Sequence, residues 1–130
     1  MAVGILLLTH TGLGGALLEA ARGVVGVLPL AVEAVEYANG ESADGALHRA
    51  ARCMRALDSG AGVLVLTDLY GSTPSNLGAQ LAAQGTPVRR VSGLNLPMLL
   101  RVLNYADQEL AELALTAAAG ARNGVILDTA

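Results

Sequence analysis

Two residues have the types and positions to do chemistry together, His10 and Asp68. His10 comes two residues after the aliphatic run Val3–Leu8, and Gly12, Gly14 and Gly15 follow it at the start of a helical pattern. An imidazole placed there sits at the rim of a sheet, beside helix-start N–H groups that attract an incoming anion. Asp68 ends a second aliphatic run, Val63–Thr67. If the two runs are neighbouring strands, the carboxylate accepts a hydrogen bond from one ring nitrogen. That fixes the tautomer and leaves the other nitrogen with a free lone pair, a nucleophile. Gly71, Ser72 and Thr73 precede Pro74, which suits the first position of a helix. They offer hydroxyls and a second helix N-terminus to a tetrahedral oxyanion. A plainer reading has His10 bonded to a loop carbonyl and Asp68 capping the helix that Pro74 opens. Complementary groups at the ends of two buried strands favour the chemical reading. His48 stands among Arg49, Arg52 and Arg55 and reads as a solvated surface residue. Cys53 has no His or Asp at a useful spacing to activate it and reads as inert.

The elements that must position these groups follow from periodicity. Short, continuous aliphatic runs such as Val3–Leu8 and Val63–Thr67 suit strands buried on both faces of a parallel sheet. Leu30–Tyr37 alternates apolar and acidic residues, as a half-exposed strand near an edge does. Pro87–Val91 is a further short strand, and Val125–Leu127 a final one between Gly124 and the C-terminus. Helical spacing covers Leu13–Val25, Ala43–Leu57 behind an N-capping Ser42, Pro74 to about Gln84, Pro97 to about Tyr105, and Gln108–Ala118. Strands alternating with helices imply right-handed crossovers and a doubly wound, mainly parallel α/β sheet. The two most hydrophobic strands belong at its centre, which yields the flavodoxin-like order beginning 2-1-3. Ligands bind such sheets at the carboxyl ends of the strands, where the order reverses. The loops after Leu8 and Thr67 are at that end.

Composition narrows the chemistry further. The 130 residues are 53% hydrophobic and 15% charged, with a formal net charge of −3. This length fits one domain, residues 1–130, and suffices to bury roughly two-thirds of the unfolded surface. Trp and Phe are absent, so Leu, Val and Ala must fill the core, and alanine faces let helices approach the sheet closely. All eight basic residues are Arg. Without lysine there is no Schiff base, no phosphate-loop lysine and no lysine general base. A basic nucleic-acid footprint is missing too, and the one cysteine excludes an internal disulfide or a CxxC pair. No apolar run approaches the roughly 20 residues of a spanning helix, and Val3–Leu8 lacks a cationic leader segment. A cytoplasmic, soluble protein is the expectation.

Three segments carry a family resemblance. Thr9-His10 after the first strand, Asp68-Leu69-Tyr70-Gly71-Ser72-Thr73-Pro74-Ser75-Asn76, and Gly93-Leu94-Asn95-Leu96-Pro97-Met98-Leu99 together resemble the mannose-family IIA domain of the bacterial sugar phosphotransferase system. The resemblance spans essentially the whole chain, with the motifs in the expected order. It implies a phosphocarrier in which His10 accepts a phosphoryl group from the phosphocarrier protein HPr and passes it to a IIB domain. Asp68 matches the aspartate that orients the histidine, and Thr9, Gly71, Ser72 and Thr73 are expected around the phosphoryl group. Leu69, Tyr70, Asn95, Leu96 and Pro97 are expected to meet the docking partners. The resemblance also implies a homodimer in which a C-terminal strand, here Val125–Leu127, crosses to the partner's sheet. No metal or other cofactor is required, since transfer between phosphohistidines needs mainly positioning and neutralisation of oxygens. The chain departs from the family pattern where Thr11, in place of glycine, follows His10 and where Ser72, in place of glycine, follows Gly71.

A receiver-like domain phosphorylated on aspartate is excluded, because that chemistry needs an acidic pair after the first strand and a lysine. Two alternatives stay open on the sequence alone. One is the phosphocarrier subunit of a dihydroxyacetone kinase system; the other is a regulatory sensor of phosphorylation state that feeds no transporter. Both would use His10.

Overall fold

The computed structural model describes residues 2–129. Strands β1 (Gly4–His10), β2 (Val32–Tyr37), β3 (Val63–Thr67) and β4 (Val88–Ser92) alternate with helices α1 (Gly14–Val25), α2 (Ala43–Leu57), α3 (Thr73–Leu81), α4 (Leu96–Asn104) and α5 (Leu110–Asn123). The sheet is wholly parallel with the order β2-β1-β3-β4. The two aliphatic runs therefore take the centre, as their hydrophobicity demands, and the alternating run β2 takes an edge.

Each central strand feeds two cores. Ile5, Leu7, Leu64 and Leu66 face α1, α4 and α5, packing on Leu18, Ala21, Met98, Val102 and Leu113. Leu6, Leu8, Val63 and Val65 face α2 and α3, packing on Ala46, Ala50, Met54, Leu77 and Leu81. A strand covered on both faces has no polar position to alternate with, which is why β1 and β3 read as unbroken aliphatic runs. Small residues do let helices close in. A β-carbon on Gly120 of α5 would lie 2.7 Å from Cβ of Arg101 on α4.

Element ends differ from the sequence reading by a few residues, with local causes. β1 continues through Thr9 and His10, because Leu8, Thr9 and His10 still pair with Val35, Glu36 and Tyr37. Ser42 caps α2 as expected, its hydroxyl accepting the Gly45 N–H at 3.2 Å. α3 stops at Leu81, and the N–H groups of Ala83 and Gln84 turn back to Gln80 and Leu81. α5 runs past Ala118 to Asn123, since Gly120 is needed against α4. Val125–Leu127 is not a strand: these side chains are 77%, 74% and 86% exposed and pair with nothing in their own sheet. An extended segment forms a strand only where an edge receives it, and this one meets none within its own chain. None of the described helices is long and apolar enough to cross a membrane.

Candidate active site

β1 and β3 end side by side, and their last polar side chains meet. His10 Nδ1 lies 2.8 Å from Asp68 Oδ2, and the same oxygen accepts the His10 backbone N–H at 3.0 Å. One carboxylate oxygen thus holds both the backbone and the ring. A carboxylate accepts, so the proton belongs on Nδ1 and the lone pair on Nε2. The ring is 37% exposed while the Asp68 side chain is only 9% exposed, which suits a reactive group on a rigid support. Asp68 Oδ1 is buried with no hydrogen-bond partner among the described residues. Among the described residues, the one ring close to this carboxylate is that of His10.

The loop after His10 is fastened by Thr9 and by Glu36, the second of which the sequence does not single out. Thr9, expected at the phosphoryl site, is fully buried. Its hydroxyl donates to the His10 carbonyl at 2.8 Å and accepts the Gly14 N–H at 2.9 Å, leaving nothing for a ligand. Glu36, opposite Thr9 in the β1–β2 register, takes the Gly12 N–H on Oε1 at 2.9 Å and the Gly15 N–H on Oε2 at 2.8 Å. Those two bonds, Gly12 first, hold its carboxyl below the usual carboxylate range against the opposing effect of burial. The start of α1, expected to receive an anion, already holds one. The tight approach of Gly12 to the carboxylate comes with φ of +88°, which glycine adopts readily.

On the other side of His10, Gly71 and Ser72 lead into α3. The Ser72 hydroxyl donates to the Leu69 carbonyl at 2.6 Å. Thr73 opens the helix half-buried, and the N–H groups of Thr73 and Ser75 have no partner among the described residues. Of the two helix starts that follow β1 and β3, this one has N–H groups to offer. Leu69 and Tyr70, 61% and 82% exposed, project beside it. The other expected docking residues are engaged internally. Asn95 caps α4 through the Met98 N–H at 2.9 Å and donates to the Ala121 carbonyl at 3.3 Å. Leu96 packs on the core, and Pro97 abuts Gly124. His48 is exposed on α2, its Nδ1 bonded to the Asp44 carbonyl at 2.8 Å. Cys53 is half-buried, and burial pushes its thiol up.

Comparison with known proteins identifies the family. Residues 4–119 match the family model of the phosphotransferase-system fructose IIA component. The mannose-specific EIIAB component of Escherichia coli strain K12 is 28% identical over 127 residues, covering 96% of this chain and 39% of that protein. The chain thus spans well under half of that relative's length. Among solved structures, the mannose/sorbose-specific IIA subunit from Enterococcus faecalis superposes with a TM-score of 0.88 at 24% identity, covering 100% of this chain and 97% of that one. The IIA protein associated with the fucose utilization operon of Streptococcus pneumoniae superposes with a TM-score of 0.80 at 27% identity, covering 98% and 96%. With all four strands and both residues of the His10–Asp68 pair inside the matched residues, the chain belongs to the mannose/fructose family of phosphotransferase-system IIA components.

Proposed function

We propose that this chain carries phosphoryl groups on His10, from HPr to a IIB domain in sugar uptake, in the cytoplasm. The observation that carries this is the 2.8 Å bond between His10 Nδ1 and Asp68 Oδ2 beneath a solvent-accessible ring. The lone pair on Nε2 attacks phosphorus as the donor's P–N bond breaks, and that electron pair returns to the donor's imidazole. The His10 ring takes up positive charge, which the Asp68 carboxylate offsets while the proton stays on Nδ1. Passing the group to the IIB domain reverses these steps. Exchange between nitrogen carriers is near thermoneutral, so positioning supplies most of the acceleration. The free N–H groups at the start of α3, with Gly71, Ser72 and Thr73 around them, favour negative charge close to His10. Leu69 and Tyr70 form the apolar rim on which HPr and the IIB domain dock. The matched relatives are sugar-system components, which supports sugar uptake over the dihydroxyacetone kinase or sensor alternatives.

Incubation with phosphoenolpyruvate, enzyme I and HPr should add one acid-labile, base-stable phosphate per chain. His10→Ala should abolish it, His48→Ala should leave it intact, and Asp68→Ala should slow it by about a hundredfold in a folded protein. Labelling that survives His10→Ala ends this reading.

A further inference from the structure

The two nitrogens of an imidazole point away from one another. Nδ1 is turned to Asp68 at the end of β3, and the opposite neighbour of β1 is β2. On that side lies a cavity of about 220 Å³ lined by His10, Thr11, Tyr37 and Asn39. It holds several times the roughly 30 Å³ that a water molecule occupies in the liquid, so a phosphoryl group fits with solvent around it. Its frame is fixed. The Thr11 N–H donates to the Tyr37 carbonyl at 3.1 Å, and the next N–H, of Gly12, is held by Glu36. Tyr37 is a wall whose hydroxyl is already engaged with the Glu41 carbonyl at 3.2 Å.

Two polar side chains in this lining remain uncommitted. The Thr11 hydroxyl and the Asn39 amide make no hydrogen bond among the described residues, and both residues are exposed. Elsewhere around His10 the hydroxyls of Thr9 and Ser72 are donating to carbonyls, and the α1 amides of Gly14 and Gly15 are taken by Thr9 and Glu36. Thr73, whose hydroxyl also makes no hydrogen bond among the described residues, stands at the start of α3 and does not line this cavity. We infer that Thr11 and Asn39 are the side chains that donate to the oxygens of the phosphoryl group while it resides on Nε2 of His10. The inference rests on the phosphocarrier reading and assigns the binding residues within it.

The test uses the full chain with phospho-HPr as donor, reading the rate of label uptake and the ³¹P resonance of the phosphorylated protein. Thr11→Val removes the hydroxyl at nearly constant volume, and Asn39→Asp replaces the donor amide by a like charge in the same Asn-Gly turn. Each should slow uptake by about tenfold and move the resonance, and Thr11→Ser should restore both. Wild-type rates with an unmoved resonance in Thr11→Val and Asn39→Asp overturn the assignment and leave His10 as the carrier. Slowed uptake with an unmoved resonance in both also overturns it, because the side chains then act on docking alone. A wild-type chain that takes no label from phospho-HPr brings down the phosphocarrier reading itself. Circular dichroism of each variant confirms that the exposed substitutions leave the fold intact.

Discussion

His10 owes its position to Asp68, and the loop around it owes its shape to Glu36 and Thr9. The pairing of His10 with Asp68 was legible because each follows an aliphatic run, and two such runs must be neighbours in a parallel sheet. The roles of Thr9 and Glu36 were not legible. A β-strand shows one residue of each neighbouring pair to each face, and which acidic residue of β2 lies opposite Thr9 depends on register. Glu36 reaches the Gly12 and Gly15 amides only because it is Thr9's partner. The consequence is testable through stability. Its carboxyl titrates below the ordinary value of 4.5 in the folded chain. The carboxylate's contribution is therefore complete above that value and is lost as the pH falls through the lower folded value. Glu36→Gln should lower stability at pH 7 by about 1 kcal/mol, as loss of a helix cap does. In urea unfolding across a pH series, the gap between the variant and the parent should close on acidification below about 4.5. A gap of constant size would show that charge is not what the clamp uses.

Among the elements, the start of β1 and the end of α2 approach closely. A β-carbon on Gly4 would fall 2.6 Å from the Leu57 carbonyl oxygen and 2.8 Å from its Cβ. Neither is the free end of a flexible side chain, so α2 or β1 must shift. Gly4→Ala should destabilise by about 1–3 kcal/mol, measured as a lower urea midpoint. His10 stands at the other end of β1, so the folded variant should still accept phosphate at the parent's rate. A midpoint equal to the parent's would mean that the α2 terminus is loose. Strand and helix identities were legible from periodicity, since burial on one or both faces writes itself into the pattern. Their ends were not. α3 stops where apolar anchoring stops, at Leu81, and α5 continues because Gly120 belongs inside the α4 contact.

At the scale of the whole molecule, the exposed Val125–Leu127 segment is the feature a lone chain leaves without a partner. Three consecutive large apolar residues in water favour association. The homodimer that the family resemblance implies would place them against a second copy. Light scattering should then show a dimer for the full chain and a monomer after removal of residues 125–130, and a monomer in both cases would dispose of the dimer. What the sequence by itself determined is the 2-1-3 start of the strand order, the burial of β1 and β3 on both faces, and the expectation that His10 and Asp68 meet if those strands are neighbours. Those follow from hydrophobic patterning, which records how many faces of each strand are covered. Only the tertiary structure decided which donors are already taken, that Glu36 occupies the start of α1, that Thr9 is sealed in, and that a cavity opens beside Thr11 and Asn39. Hydrogen bonds between residues far apart in the chain depend on register and loop path, and residue type alone encodes neither.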